Sequence, residues 1–179
     1  MPMLTLDSNH CFHVSEDANI KEFCPRTDAD GKSVVWAIDA RHLVNYLLPR
    51  DCPRICVRVE TLSLLDQIPP SLARVGHTIV VENAWRRAIS NAELFVYAFS
   101  RETFSVVDAN AGYLQTTATV TPVSVQRLED LPMHIAERGS KLVFEPSLWP
   151  IHDWVSTTEL EFSCIRMRNA LPREYNEGV

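Results

Sequence analysis

The sequence predicts an α+β fold made mainly of antiparallel sheet, with short strands and a few short helices. Short apolar or alternating runs outnumber the helical stretches. They are not interleaved with long crossover helices, as a doubly wound α/β fold would require. Neither GxGxxG nor GxxxxGK followed by Ser or Thr occurs, and five glycines leave little for a phosphate-cradling loop.

The first expected strand is Cys11 to Val14. Asp17 to Phe23 reads as one helical turn closed by Pro25. Thr27 to Lys32, with Asp28, Asp30 and Gly31, is a polar loop. Val34 to Ile38 is a continuous apolar run, the pattern of a strand buried on both faces. Asp39 then caps a short helix through Leu47, stopped by Pro49. Arg54 to Glu60 alternates: Ile55, Val57 and Val59 face one way, Cys56 and Arg58 the other. Leu62 to Val75 is a connection carrying Pro69 and Pro70.

His77 to Val81 is the next strand, and Asn83 caps a helix from Ala84 to Ile89. Leu94 to Phe99 and Phe104 to Val107 are strands, followed by a small-residue loop from Asp108 to Gly112. Tyr113 to Val120, rich in Thr and Val, reads as a strand ending near Pro122. Leu131 to Arg138 is a helix with Asp130 as cap, Pro132 in its first turn and Gly139 at its end. Lys141 to Glu145 is a strand, Pro146 to Pro150 a stiff turn and Ile151 to Ser156 helical. Glu159 to Met167 closes the series as a strand. Residues 1–171 read as a single domain and residues 172–179 as a loose polar tail.

The 179 residues suit one domain that buries roughly two thirds of its unfolded surface without a disulfide or metal. With 46% hydrophobic and 22% charged residues, the composition is that of an ordinary globular protein. The net charge of -6 argues against charge-driven binding to duplex nucleic acid, although a local funnel for single strands remains compatible with it. No apolar run approaches the ~20 residues of a membrane span. Met1 to His10 lacks the basic and apolar regions of a secretory signal, so a cytoplasmic setting is expected. Cys11, Cys24, Cys52, Cys56 and Cys164 are an odd set and read as free thiols. His10, Cys11, His13 and Cys24 do not form a metal site on this reading, because neighbours on a strand diverge.

Chemistry-bearing residues concentrate in the first sixty positions and in the strand at Tyr113. His13 and Ser15 sit on the first strand, Trp36 on the next, and Tyr46 after the short helix. Arg50 and Arg54 flank Asp51 and Cys52, and an Arg fork matches phosphate or carboxylate. The same Arg residues would lower the Cys52 thiol pKa. His152 and Asp153 are adjacent on a helix and are not expected to face each other. Serine-hydrolase chemistry lacks its GxSxG elbow.

The stretch Phe12-His13-Val14-Ser15, then Val35 to Asp39 with Tyr46, then Phe95 to Tyr97, Gly112-Tyr113 and Val120 to Val123, resembles the His-Tyr branch of the ADP-ribosyltransferase fold. HVSE, VWAID, NYLLPRDCPR, PSLWP and IRMRNA together resemble, over nearly the whole chain, a bacterial family of uncharacterised domains. No metal is expected from the residues themselves. The transferase resemblance covers residues 11–125 and implies that NAD is a substrate. It implies that His13 holds the nicotinamide ribose, that Ser15 supports the same end and that Tyr46 stacks on the nicotinamide ring. Trp36, Tyr113 and an Arg from Arg50 or Arg54 complete the expected pocket, with Arg166 and Arg168 as further cations. The third catalytic position, normally Glu, Asp or Gln, falls to Gln115. Gln orients an acceptor but cannot act as a general base. The alternative is a non-catalytic module of the same fold that binds a nucleotide or an anionic metabolite. The acceptor is open, and no residue demands an oligomer.

Overall fold

The computed structural model describes residues 7–60 and 68–173. The start of the chain read as lacking a signal, the first part of the Leu62 to Val75 connection and the end of the expected tail lie outside these residues. Eleven strands and three α-helices occur among the described residues: β1 His10–Ser15, β2 Arg26–Thr27, β3 Ser33–Ile38, β4 Arg54–Val59, β5 Gly76–Glu82, α1 Arg86–Asn91, β6 Leu94–Ser100, β7 Ser105–Asp108, β8 Tyr113–Thr116, β9 Ser124–Leu128, α2 Leu131–Glu137, β10 Ser140–Glu145, α3 Trp149–Val155 and β11 Glu161–Ile165. The α+β expectation with mostly antiparallel strands holds. No helix among the described residues is long and apolar enough to cross a membrane.

Within the span read as one domain, the chain forms two compact units: Met1–Leu47 with Glu93–Glu129, and Leu48–Ala92 with Asp130–Val179. The first holds a sheet in the order β7-β8-β3-β1-β6-β9, with β2 added to β3. Every pairing in it is antiparallel. One face carries a core of Cys11, Phe23, Val35, Ala37, Tyr97, Phe99, Phe104 and Leu114. Phe23 makes edge-on contacts with Tyr97 and Phe99 at 5.1 and 4.9 Å. Such aromatic pairs contribute about 0.5–1.5 kcal/mol each beyond their burial.

The second unit holds a sheet in the order β10-β5-β4-β11. β10 runs parallel to β5, and the other pairs are antiparallel. Ile55, Val57 and Val59 share one face of β4, as their alternation predicts, and pack with Val80 against Leu148, Ile151 and Val155 from the α3 region. Cys56 on the opposite face of β4 is buried as well.

The sequence and the structure part at several places. Asp17 to Phe23 is not a helical turn. Its amides are taken elsewhere: Asp17 N by Ser15 Oγ, Asn19 N by Asp17 Oδ1, and Ile20 N by the Tyr97 hydroxyl. Phe23 pairs with Val120 through both backbone groups. Local side-chain acceptors thus outcompete the helix. The strand expected from Tyr113 to Val120 stops at Thr116, whose Oγ1 accepts the Ala118 amide. β9 and β2 fall in segments that read as irregular. Asn83 does not cap a helix but opens a 3-10 turn over Asn83–Trp85 that leads into α1. α3 starts at Trp149, with Pro150 in its first turn, where a missing N–H costs nothing. β3 is not buried on both faces throughout, because Trp36 is 38% exposed.

Candidate functional site

Strand parity decides which of the expected residues meet. Directly opposed residues in an antiparallel pair share a face, and neighbours along a strand alternate. Phe12 is opposite Ile38, and Ile38 is opposite Tyr113. Trp36, two residues from Ile38, therefore joins that face, and so does its partner Gln115. The rings agree: Trp36 and Tyr113 make an edge contact at 6.0 Å. Tyr46, on the 3-10 turn Leu43–Tyr46, donates its hydroxyl to the Tyr113 oxygen at 2.6 Å, with ring centroids 6.4 Å apart. Trp36, Tyr46, Tyr113 and Gln115 are thus gathered on one face of the first unit.

His13 is on the other face. It is opposite Tyr97 in the β1–β6 register, and its ring lies 4.9 Å from Phe23 in the aromatic core. Its Nδ1 is 3.2 Å from the Trp36 carbonyl oxygen, a backbone contact that leaves the ring on the core side. Ser15 shares the His13 face, and its Oγ accepts the Asp17 amide. The pairing of His13 with Tyr46 in one cleft, which the transferase resemblance implies, is therefore not seen: the sheet stands between them. Sequence spacing does not carry the parity of β1 against β3.

Beside the aromatic face lies a polar lock that the sequence reading passed over. Asp39 Oδ1 accepts the His42 amide at 2.7 Å and contacts His42 Nδ1 at 2.8 Å. The Asp39 amide in turn donates to the Gly112 carbonyl at 2.9 Å. Burial pushes the Asp39 carboxyl up, but the hydrogen bonds from the His42 ring and backbone prevail and hold it below its ordinary value. The sequence makes Asp39 the cap of a helix through Leu47, but the regular helix is the 3-10 turn Leu43–Tyr46, whose N-cap is His42 without a side-chain cap bond; the Asp39 carboxylate instead holds the turn that leads into it. Gly112 sits at φ 73°, and a Cβ there would come within 2.3 Å of His42 Nδ1. The readable signal was Asp39 three residues before His42, with a glycine directly before Tyr113.

The expected arginines belong to the second unit. Arg54 is 2% exposed, and its guanidinium donates to the carbonyls of Pro49 and Cys52 at 3.3 and 2.9 Å, so it holds the Pro49–Pro53 loop together. Arg50 is exposed. Arg166 lies just after β11 with a left-handed backbone, φ 57°, and Arg168 is exposed on the 3-10 turn that follows. The expectation that Arg neighbours activate Cys52 is overturned. Burial dominates the opposing pull of Arg54 and pushes the thiol up to about 12. His152 and Asp153, not expected to face each other, do meet, with Nδ1 and Oδ1 3.0 Å apart. No group of three His, Cys, Asp or Glu side chains is arranged to hold a metal ion among the described residues.

No curated protein and no solved structure is significantly similar to this chain. A family model does match, over residues 12–170, and the chain belongs to that family: a family of unknown function, DUF6886.

Proposed function

We propose that this protein is a binding module for a nucleotide or a related flat, polar metabolite, held against Trp36, Tyr46 and Tyr113. The observation that carries the reading is the hydroxyl–hydroxyl bond between Tyr46 and Tyr113 beside a half-exposed indole on the same sheet face. An exposed aromatic ring can stack on any planar base, typically for about 1–3 kcal/mol. Gln115 on the same face offers both donors and an acceptor to ring substituents. NAD is the first ligand to test, since its cationic nicotinamide ring suits an aromatic platform. Free buried thiols suit a cytoplasmic setting for such a role.

Binding is favoured over ADP-ribosyl transfer for two reasons. His13, the residue meant to hold the ribose, faces the opposite core. Gln115 in the third position supplies no general base. The reading rests on the first unit alone.

The test is calorimetric titration of NAD and ATP into the wild type and into Trp36→Ala, Tyr46→Phe and His13→Ala. Binding should be lost in Trp36→Ala, weakened in Tyr46→Phe and kept in His13→Ala. Release of nicotinamide from NAD that disappears in His13→Ala would replace this reading with the transferase one.

A further inference from the structure

The last described residues of the chain are held in the second unit the way a receptor holds an extended peptide. Leu171 is engaged at both backbone groups. Its amide donates to the two carboxyl oxygens of Glu82 at 3.0 and 3.2 Å, and its carbonyl accepts Trp149 Nε1–H at 2.6 Å. Pro172 brings no amide that would need a partner. Arg173 then places both guanidinium arms on Asp153, at 2.8 and 3.0 Å, and lies 4.2 Å over the Trp149 ring. Upstream, the Asn169 side chain donates to the Asp51 carbonyl at 2.7 Å.

Two features set this apart from ordinary end-tethering. Glu82 is 1% exposed, and a buried carboxyl must be hydrogen-bonded. The backbone amide that meets it is that of Leu171, 89 residues further along the chain, so the position calls for an occupant. The segment is also led in through Arg166, whose φ of 57° lies in the region that L side chains rarely adopt. The outermost contact, Arg173 on Asp153, is exposed on both sides.

We propose that Glu82, Trp149 and Asp153 form a recognition site for an extended peptide bearing Leu-Pro-Arg, and that residues 171–173 of this chain are its resident, competing occupant. The Glu82 and Trp149 side chains on the Leu171 backbone supply register, and the charged fork with its aromatic stack supplies selection for Arg over Lys. A tethered occupant acts at millimolar effective concentration, so an external peptide wins only where the resident is weakened or the external contacts are better.

The experiment uses the full chain and a fluorescent probe, the hexapeptide Arg-Asn-Ala-Leu-Pro-Arg, read by anisotropy. Arg173→Ala weakens the resident at an exposed position, with folding checked by circular dichroism. It should bind the probe about tenfold tighter than the wild type, the combined scale of an exposed ion pair and a cation–π contact. Adding Trp149→Phe should abolish that binding. A second probe with Pro in place of Leu has no amide for Glu82 and should not bind. Equal affinity of wild type and Arg173→Ala for the probe, or equal binding of the two probes, overturns the proposal.

Discussion

Tyr46 donates its phenolic hydrogen to the Tyr113 oxygen across 2.6 Å, joining the 3-10 turn after β3 to the first residue of β8. One bond thus fixes the two rings against each other. Tyr46→Phe removes the donor and keeps the ring. The expected cost is about 0.5–1.5 kcal/mol, the net worth of a partly buried hydrogen bond. Urea unfolding followed by tryptophan fluorescence should show a lower midpoint with an unchanged slope. A midpoint equal to that of the wild type would mean that the bond adds nothing to the fold.

Gly112 and Gly139 share a φ of 73° but differ in what surrounds them. At Gly139 a Cβ would meet nothing within 4 Å, whereas at Gly112 it would meet the His42 ring at 2.3 Å and Asp39 Cγ at 2.9 Å. Gly139→Ala should therefore cost only the left-handed backbone penalty, about 1–2 kcal/mol. Gly112→Ala adds a steric term of about 1–3 kcal/mol on top. The double variant Gly112→Ala/His42→Ala removes the ring and should recover part of the loss. Thermal midpoints of the four proteins test this; similar losses at the two glycines would show that His42 yields freely.

Thiol reactivity should follow exposure. Cys24 is exposed, whereas burial pushes Cys11, Cys52 and Cys56 up to about 12. At pH ~8 such thiols hold only about one part in ten thousand as thiolate, the reactive form. Brief treatment of the native protein with iodoacetamide should mark Cys24 and spare those three, as read by peptide mass mapping. Early labelling of Cys52 would show that the Arg54 field outweighs burial after all.

The strands were legible where apolar character was local: β3, β4, β5 and β6 all lie within a residue or two of their expected limits. Ser124–Leu128 was not, since Gln126 and Arg127 mask its pattern and it is exposed along most of its length. Asp17–Phe23 failed because Tyr97, far along the chain, donates to Asp17 O and takes the Ile20 amide. The candidate site was half legible. Aromatic residues at Trp36, Tyr46 and Tyr113 could be picked out by type; the β1–β3 and β3–β8 registers then set Trp36 and Tyr113 on one face, and the hydroxyl bond brings Tyr46 to them. The same registers send His13 to the opposite side. Register is a long-range property, fixed by which strands pair, and a one-residue slip inverts every side chain. No motif spacing within β1 or β3 contains it.

The ion pair at the chain's end gives a pH signature. Hydrogen bonds from Arg173, then from His152, hold the Asp153 carboxyl down at about 2, against an ordinary 3.8. A depressed carboxyl contributes stability above its unfolded value and loses it as the pH falls through the folded one. Docking of Arg173 should therefore be complete at pH ~5 and released as the pH falls from about 4 to about 2. The indole N–H of Trp149 bonds the Leu171 carbonyl and lies under the Arg173 guanidinium, so its proton resonance reports both contacts. That resonance should titrate in this window. In Arg173→Ala the carboxyl loses its main partner, and its titration should rise toward the ordinary value. Both groups are exposed, so the displacement should shrink at high ionic strength. An Asp153 titration that is the same with and without Arg173 would show that the pair does not hold the carboxyl down in solution.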